Sequence, residues 1–68
     1  MWRDAHREHA LRHAPDRPVT KIRPQPVRVR AIAGVAIAYT PTHVLVEWET
    51  YGEYHVRWET KWQVWRVE

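Results

Sequence analysis

Cysteine is absent from this chain, as are serine and phenylalanine, and glycine occurs only twice. Without cysteine there is neither a disulfide framework nor a thiolate metal site, and nothing suggests secretion. Without cysteine or serine the commonest nucleophiles are gone. The threonines fall in turns, and the acids are scattered along strand faces with no partner at catalytic spacing. Two glycines are too few for a loop that cradles phosphate. The expectation is therefore a protein that is not an enzyme and carries no cofactor. No apolar run approaches the ~20 residues of a membrane span, and the N-terminus has no apolar signal core. The expected setting is the cytoplasm, alone or as a component of a larger particle, with no membrane partner.

What the chain does have is tryptophan. Five Trp and three Tyr are spread over 68 residues, a length that makes one domain at most and buries only about 60% of its unfolded surface. Each such ring brings a large apolar body with one polar atom that wants a partner, so some rings are expected to stay partly exposed. Charge is divided along the chain. Residues 1–30 hold eight Arg or Lys against three acids, and residues 31–68 hold three against five. A basic arm thus precedes a mildly acidic remainder.

The clearest pattern runs from Val44 to Trp58, VLVEWETYGEYHVRW. Val44, Val46 and Trp48, then Tyr54, Val56 and Trp58, recur at the period that sends side chains to one side of a strand. This predicts a hairpin. With Tyr51-Gly52-Glu53 as its loop, Trp48 faces Val56 and Val46 faces Trp58, while Glu49 meets His55 and Glu47 meets Arg57 on a solvated face. Trp48, Trp58 and one of Trp62 or Trp65 are then the expected core.

Upstream, residues 1–14 lack Gly and Pro, are rich in helix formers and stop at Pro15, which predicts a short helical arm. Its wheel places Trp2, Ala5, His6, His9 and His13 on one stripe, with Leu11 opposite. Residues 15–26 carry four of the five prolines and are expected to be an extended connector. From Val27 to Tyr39 the odd positions are apolar without a break, which suggests one long strand or two joined at a bend, with Gly34 as the natural bend and small residues around it for close backbone approach. A turn at Thr40-Pro41-Thr42-His43 brings Tyr39 opposite Val44, Ile37 opposite Val46 and Val35 opposite Trp48. Thr60-Lys61-Trp62 reads as a tight turn, and Val64 to Val67 as a last strand pairing back on Val27 to Ile32.

A strand, a bend, a three-stranded meander with Val44-Leu45-Val46-Glu47-Trp48 at its centre, a tight turn and a closing Val64-Trp65-Arg66-Val67 form an order that resembles the SH3-like small β-barrels. That group includes Tudor and chromo-barrel modules, and the likeness covers residues 27–68. It implies a mainly β fold, a small antiparallel barrel of four to five strands that hides its edges, with an N-terminal helical arm. No ALYDY-like or proline-peptide signature is present, so the SH3 ligand class is not implied. The alternative is an open meander completed by a partner or a second copy.

Three constellations are candidate sites. Exposed aromatic residues at the arm and at one end of the barrel, Trp2, Tyr51, Tyr54, Trp62 and Trp65, form a partner-binding patch for a protein or for a second copy of the chain. By resemblance to Tudor-like modules, Tyr51, Tyr54 and Trp62 sit where such folds carry an aromatic cage for methylated Lys or Arg. Arg3, Arg7, Arg12, Arg17, Lys21, Arg23, Arg28 and Arg30 form a basic series suited to phosphates. Because the barrel carries Glu47, Glu49 and Glu59, any nucleic acid is expected on the arm. His6, His9 and His13, spaced to share one helical face, suit Zn²⁺ or a pH response. Against the metal, HExxH is absent and one helix usually supplies only two ligands. The first expectation is an interaction module that attaches through its aromatic edge and basic arm to a larger protein or assembly. The alternative is a small nucleic-acid-binding protein.

Overall fold

A computed structural model describes residues 2–67, with the backbone alone for Trp2. The chain is mainly β. Helix α1 (Trp2–Arg12) is followed by strands β1 (Thr20–Val29), β2 (Ile32–Tyr39), β3 (His43–Thr50) and β4 (Glu53–Thr60), a 3-10 turn (Lys61–Gln63) and β5 (Val64–Arg66). All pairings are antiparallel, in one open sheet of order β4-β3-β2-β1-β5. The meander, the tight turn after Thr60 and the closing strand stand where the sequence pattern puts them. β5 pairs with β1 through Val29–Val64, Arg28–Trp65 and Val27–Arg66.

The central hairpin forms in a different register from the expected one. Its loop is two residues, Tyr51-Gly52, with Thr50 opposite Glu53, Trp48 opposite His55, Glu47 opposite Val56 and Leu45 opposite Trp58. Both loop residues have positive φ, 52° at Tyr51 and 80° at Gly52. Such a type I′ arrangement matches the right-handed twist of the strands, and this favours the two-residue loop despite the non-Gly residue at its first position. The shift by one residue sends Val44, Val46 and Trp48 to one face, and Tyr54, Val56 and Trp58 to the other.

Both faces are therefore used. On one, Val27, Val29, Ala36 and Val46 form a buried cluster, with Ile22, Val44, Trp48 and Val64 packed around it. On the other lies α1, and the Trp58 indole N–H donates to the Ala10 carbonyl at 2.8 Å. That carbonyl belongs to the last helical turn, where no later helical N–H is available to bond it, so Trp58 acts as a C-terminal cap. Leu45 and Ala38, both fully buried, share this face with Trp58 through the register Ala38–Leu45–Trp58. Trp48 and Trp58 are half-buried, while Trp62 and Trp65 are exposed, so neither of the last two is the third core ring.

The first hairpin also departs from expectation. The turn falls at Arg30-Ala31, between paired Val29 and Ile32, not at Gly34. The unbroken parity of Val27 to Tyr39 spans two strands whose inward residues are Val27 and Val29, then Ala36. Ile37 is an extra residue in β2, between the pairs Ala36–Val46 and Ala38–Leu45. That bulge replaces the expected Ile37–Val46 and Val35–Trp48 pairs, while Tyr39–Val44 is kept. Gly34 lies inside β2 because nothing larger fits: a Cβ there would stand 2.8 Å from Val46 Cγ1 and 2.9 Å from the Glu47 carbonyl oxygen.

Strand β1 begins at Thr20, inside the stretch that its prolines suggested was a connector. Register is irregular between Lys21 and Gln25, and Pro24 stands in that gap, where no ladder N–H is required. The remaining link from α1 is tied down by Asp16, which accepts from its neighbour Arg17 N–H at 2.8 Å and from the Thr42 hydroxyl at 3.0 Å. Thr40, fully buried, accepts the N–H groups of Thr42 and His43 and so fixes the β2–β3 turn.

Candidate functional site

The docking of α1 explains where the arm's charge goes. Arg7 donates through Nε and Nη2 to both carboxylate oxygens of Glu47, at 2.7 and 3.0 Å. The Tyr54 hydroxyl donates to Glu47 Oε1 at 2.6 Å, and Arg3 pairs with Glu49. Glu47 is only 15% exposed in its side chain. Burial pushes its carboxyl up, but the hydrogen bonds from Arg7 and Tyr54 outweigh that and hold it below the ordinary range. Burial and the bond to Glu47 raise the Tyr54 phenol, and Glu47 and Tyr54 together raise Arg7. The two glutamates expected on a solvated strand face thus receive the helix.

This arrangement redraws the candidate sites. Tyr54 is half-buried, and the guanidinium over its ring, 5.1 Å from the centroid, is the chain's own Arg3. Tyr51 is fully exposed at the β3–β4 turn and Trp62 lies beyond the far end of β4, about 25 Å away at the rise of a strand. The structure does not gather Tyr51, Tyr54 and Trp62 into a cage. The Trp2 side chain lies outside the described residues. His6 meets the Tyr54 ring edge-on at 6.2 Å, whereas the His9 and His13 rings lie 4.3 Å apart with their planes tilted by 41°. The three imidazoles do not converge, and no metal-holding group of three His, Asp or Glu occurs among the described residues.

The basic series divides in the same way. Arg3 and Arg7 are engaged with the sheet. Arg12 and Arg17 stay exposed at the end of α1 and in the link, and Lys21, Arg23, Arg28 and Arg30 stay exposed along β1 and its turn. Two cations outside the expected series join the latter group, Lys61 and Arg66. The signal for Arg66 was present in the sequence, since pairing Val64 to Val67 with Val27 to Ile32 carries it to the same edge.

Charge is consequently divided by element across the sheet instead of by chain order. Strands β1, β2 and β5, with the Arg30-Ala31 turn and the 3-10 turn, contain six cations and no carboxylate among the described residues. Helix α1, β3 and β4 contain Asp4, Glu8, Glu47, Glu49, Glu53 and Glu59 against four arginines. Glu59, expected on the solvent face, is buried opposite Val44.

Two exposed rings stand on the basic side. Trp62, in the 3-10 turn, is 74% exposed and Trp65, in β5, is 68% exposed. Trp65 and Arg28 are direct cross-strand partners, which places their side chains on one face. The neighbouring Arg66, paired with Val27, points to the inner side. There it joins Lys61, Tyr39, Ile22 and Val44 around an open groove of about 690 Å³. The Lys61 ammonium lies 5.6 Å from the Tyr39 ring centroid.

Among the described residues no helix is long and apolar enough to cross a membrane. Comparison of the chain with protein-family models, with curated proteins and with solved structures returned no match.

Proposed function

We propose that this chain is a non-enzymatic interaction module, and that its contact surface is the β1–β5 edge. The observation that carries this reading is the exposure of Trp62 and Trp65 on the last segment of a domain otherwise short of large core residues. Two tryptophans left in water by so small a fold forgo much of the burial energy available to them, about 1.5–3 kcal/mol for a large apolar side chain. Large exposed aromatics of this kind are the usual anchors of binding surfaces. The helical arm has a different role from the one its sequence suggests. It covers β3 and β4 of its own domain, so contact with a larger assembly falls to the opposite edge.

The test is capture from lysate by the full chain and by a Trp62→Ala/Trp65→Ala variant, with and without nuclease and at low and high salt. Circular dichroism would verify that the variant is folded. Retention of a defined component by the parent chain and its loss from the variant supports the edge. Equal retention by a folded variant refutes it.

A further inference from the structure

Resting on that reading of the edge, we infer that its ligand is a single-stranded nucleic acid, held by Arg28, Arg30 and Arg66 on phosphates with Trp65 stacked on a base. Three observations converge on it. The first is sign: among the described residues β1, β2, β5 and their turns carry six cations and no carboxylate, whereas protein interfaces balance charge at the rim and deplete it at the core. Arg23, Arg28, Arg30 and Arg66 make no ion pair among the described residues, so their charge is free to act outward. The second is position. Arg28 and Trp65 face each other across the β1–β5 ladder, Arg30 stands two residues along at the turn, and Arg66 follows Trp65 on the other side of the edge strand. A cation on either side of a ring is what a strand needs, with phosphates repeating along it and bases free to stack. The third is separation along the sheet. In the order β4-β3-β2-β1-β5 the acids of β3 and β4 lie toward the edge away from β5, so a polyanion is drawn to one edge and turned away from the other.

A single strand suits this edge better than a duplex. An exposed indole contributes most when it meets the face of an unpaired base, and a duplex hides those faces. The one α-helix among the described residues, the usual reader of a major groove, is held against its own sheet by Arg7–Glu47 and Trp58–Ala10.

The experiment is fluorescence anisotropy of labelled oligouridylate and oligothymidylate, with a labelled DNA duplex alongside, titrated with the full chain. With three phosphates engaged, affinity for the single strands should fall about 20-fold between about 50 and about 200 mM salt, and Arg28→Ala should reduce that fall to about 7-fold. Trp65→Ala should weaken binding about tenfold or more, with Trp65→Phe keeping most of it. Arg12→Ala, on the helix, should change little. A preference between the two oligonucleotides distinguishes RNA from DNA as the source. Three results would overturn the inference. One is no binding at about 100 µM chain, the weak end of non-specific affinity, with nuclease-resistant capture through Trp62 and Trp65 still observed; the edge would then contact protein. Another is duplex binding as tight as single-strand binding and indifferent to Trp65. The last is a loss with Arg12→Ala as large as with Arg28→Ala, which would put the site on the arm. Failure of the capture test together with failure here would remove the edge itself.

Discussion

Replacing Arg7 by alanine tests the claim that the arm is part of the fold. The substitution removes a two-pronged bond to Glu47, with contacts of 2.7 and 3.0 Å, and leaves a carboxylate that is only 15% exposed without its cation. Hydrogen bonds to charged groups are worth about 1.5–3 kcal/mol each when protected. Arg7 is itself 38% exposed in its side chain, and water would screen and partly replace the pair, so a net loss of about 1–2 kcal/mol is expected. In a domain of this size that is a large share of total stability. The assay is urea unfolding followed by tryptophan fluorescence and far-ultraviolet circular dichroism, for the parent, Arg7→Ala, Glu47→Gln and the double variant. The two single losses should not add, because either one breaks the same contact. The loss should shrink at high salt, though less than for a surface pair. A loss below about 0.3 kcal/mol, or two single losses that add fully, would refute the docking described here.

Gly34→Ala should destabilise by about 1–3 kcal/mol, since the new methyl group meets the Glu47 carbonyl as well as a side chain; thermal melts against the parent check it. Tyr51→Asn should raise stability by about 0.5–1 kcal/mol in the same assay, because asparagine tolerates the positive φ at that turn and the exposed Tyr51 ring gives up no packing. Glu47 has a folded-state pKa depressed below its unfolded value, so its contribution is present above the unfolded carboxylate range and lost as pH falls through the folded value. Unfolding series at pH 7 and near pH 3 should show this loss, and Glu47→Gln should flatten it. Tyr54 acts at the other end. Its raised pKa means that its contribution is present below about pH 10, the unfolded value, and fades as pH rises through the folded one, which Tyr54→Phe should abolish.

The parts of this fold legible in the sequence were those written in local pattern. The alternation of Val44 to Trp48 and of Tyr54 to Trp58 marked two strands, and the turn at Thr40 and the closing Val64 to Arg66 followed. Register was not legible, for two physical reasons. Tyr51 adopts a left-handed conformation that nothing in a tyrosine announces, and the apolar residues of β3 and β4 serve two different layers, so matching them to one face gives the wrong pairing. Pro24 and Pro26 looked like the mark of a linker because their places in β1, Pro24 in the irregular stretch of the ladder and Pro26 opposite Val35, depend on β2. In the candidate site, the series of arginines was visible but its partition was not. Arg3 and Arg7 find Glu49 and Glu47 across some forty residues of chain, and only the folded sheet shows which cations are neutralised and which remain.

That same docking sets an order of events. Arg7 and Glu47 are 40 positions apart, and Ala10 and Trp58 are 48 apart. The helix is the first segment of this sequence to be made, yet the surface it seats on does not exist until β3 and β4 have paired. Closing loops of that length is slow relative to forming a hairpin. A helix this short is marginal alone in water. The N-terminal segment therefore stays frayed until the middle of the chain has folded, and its seating reports that the hairpin has paired in the right register.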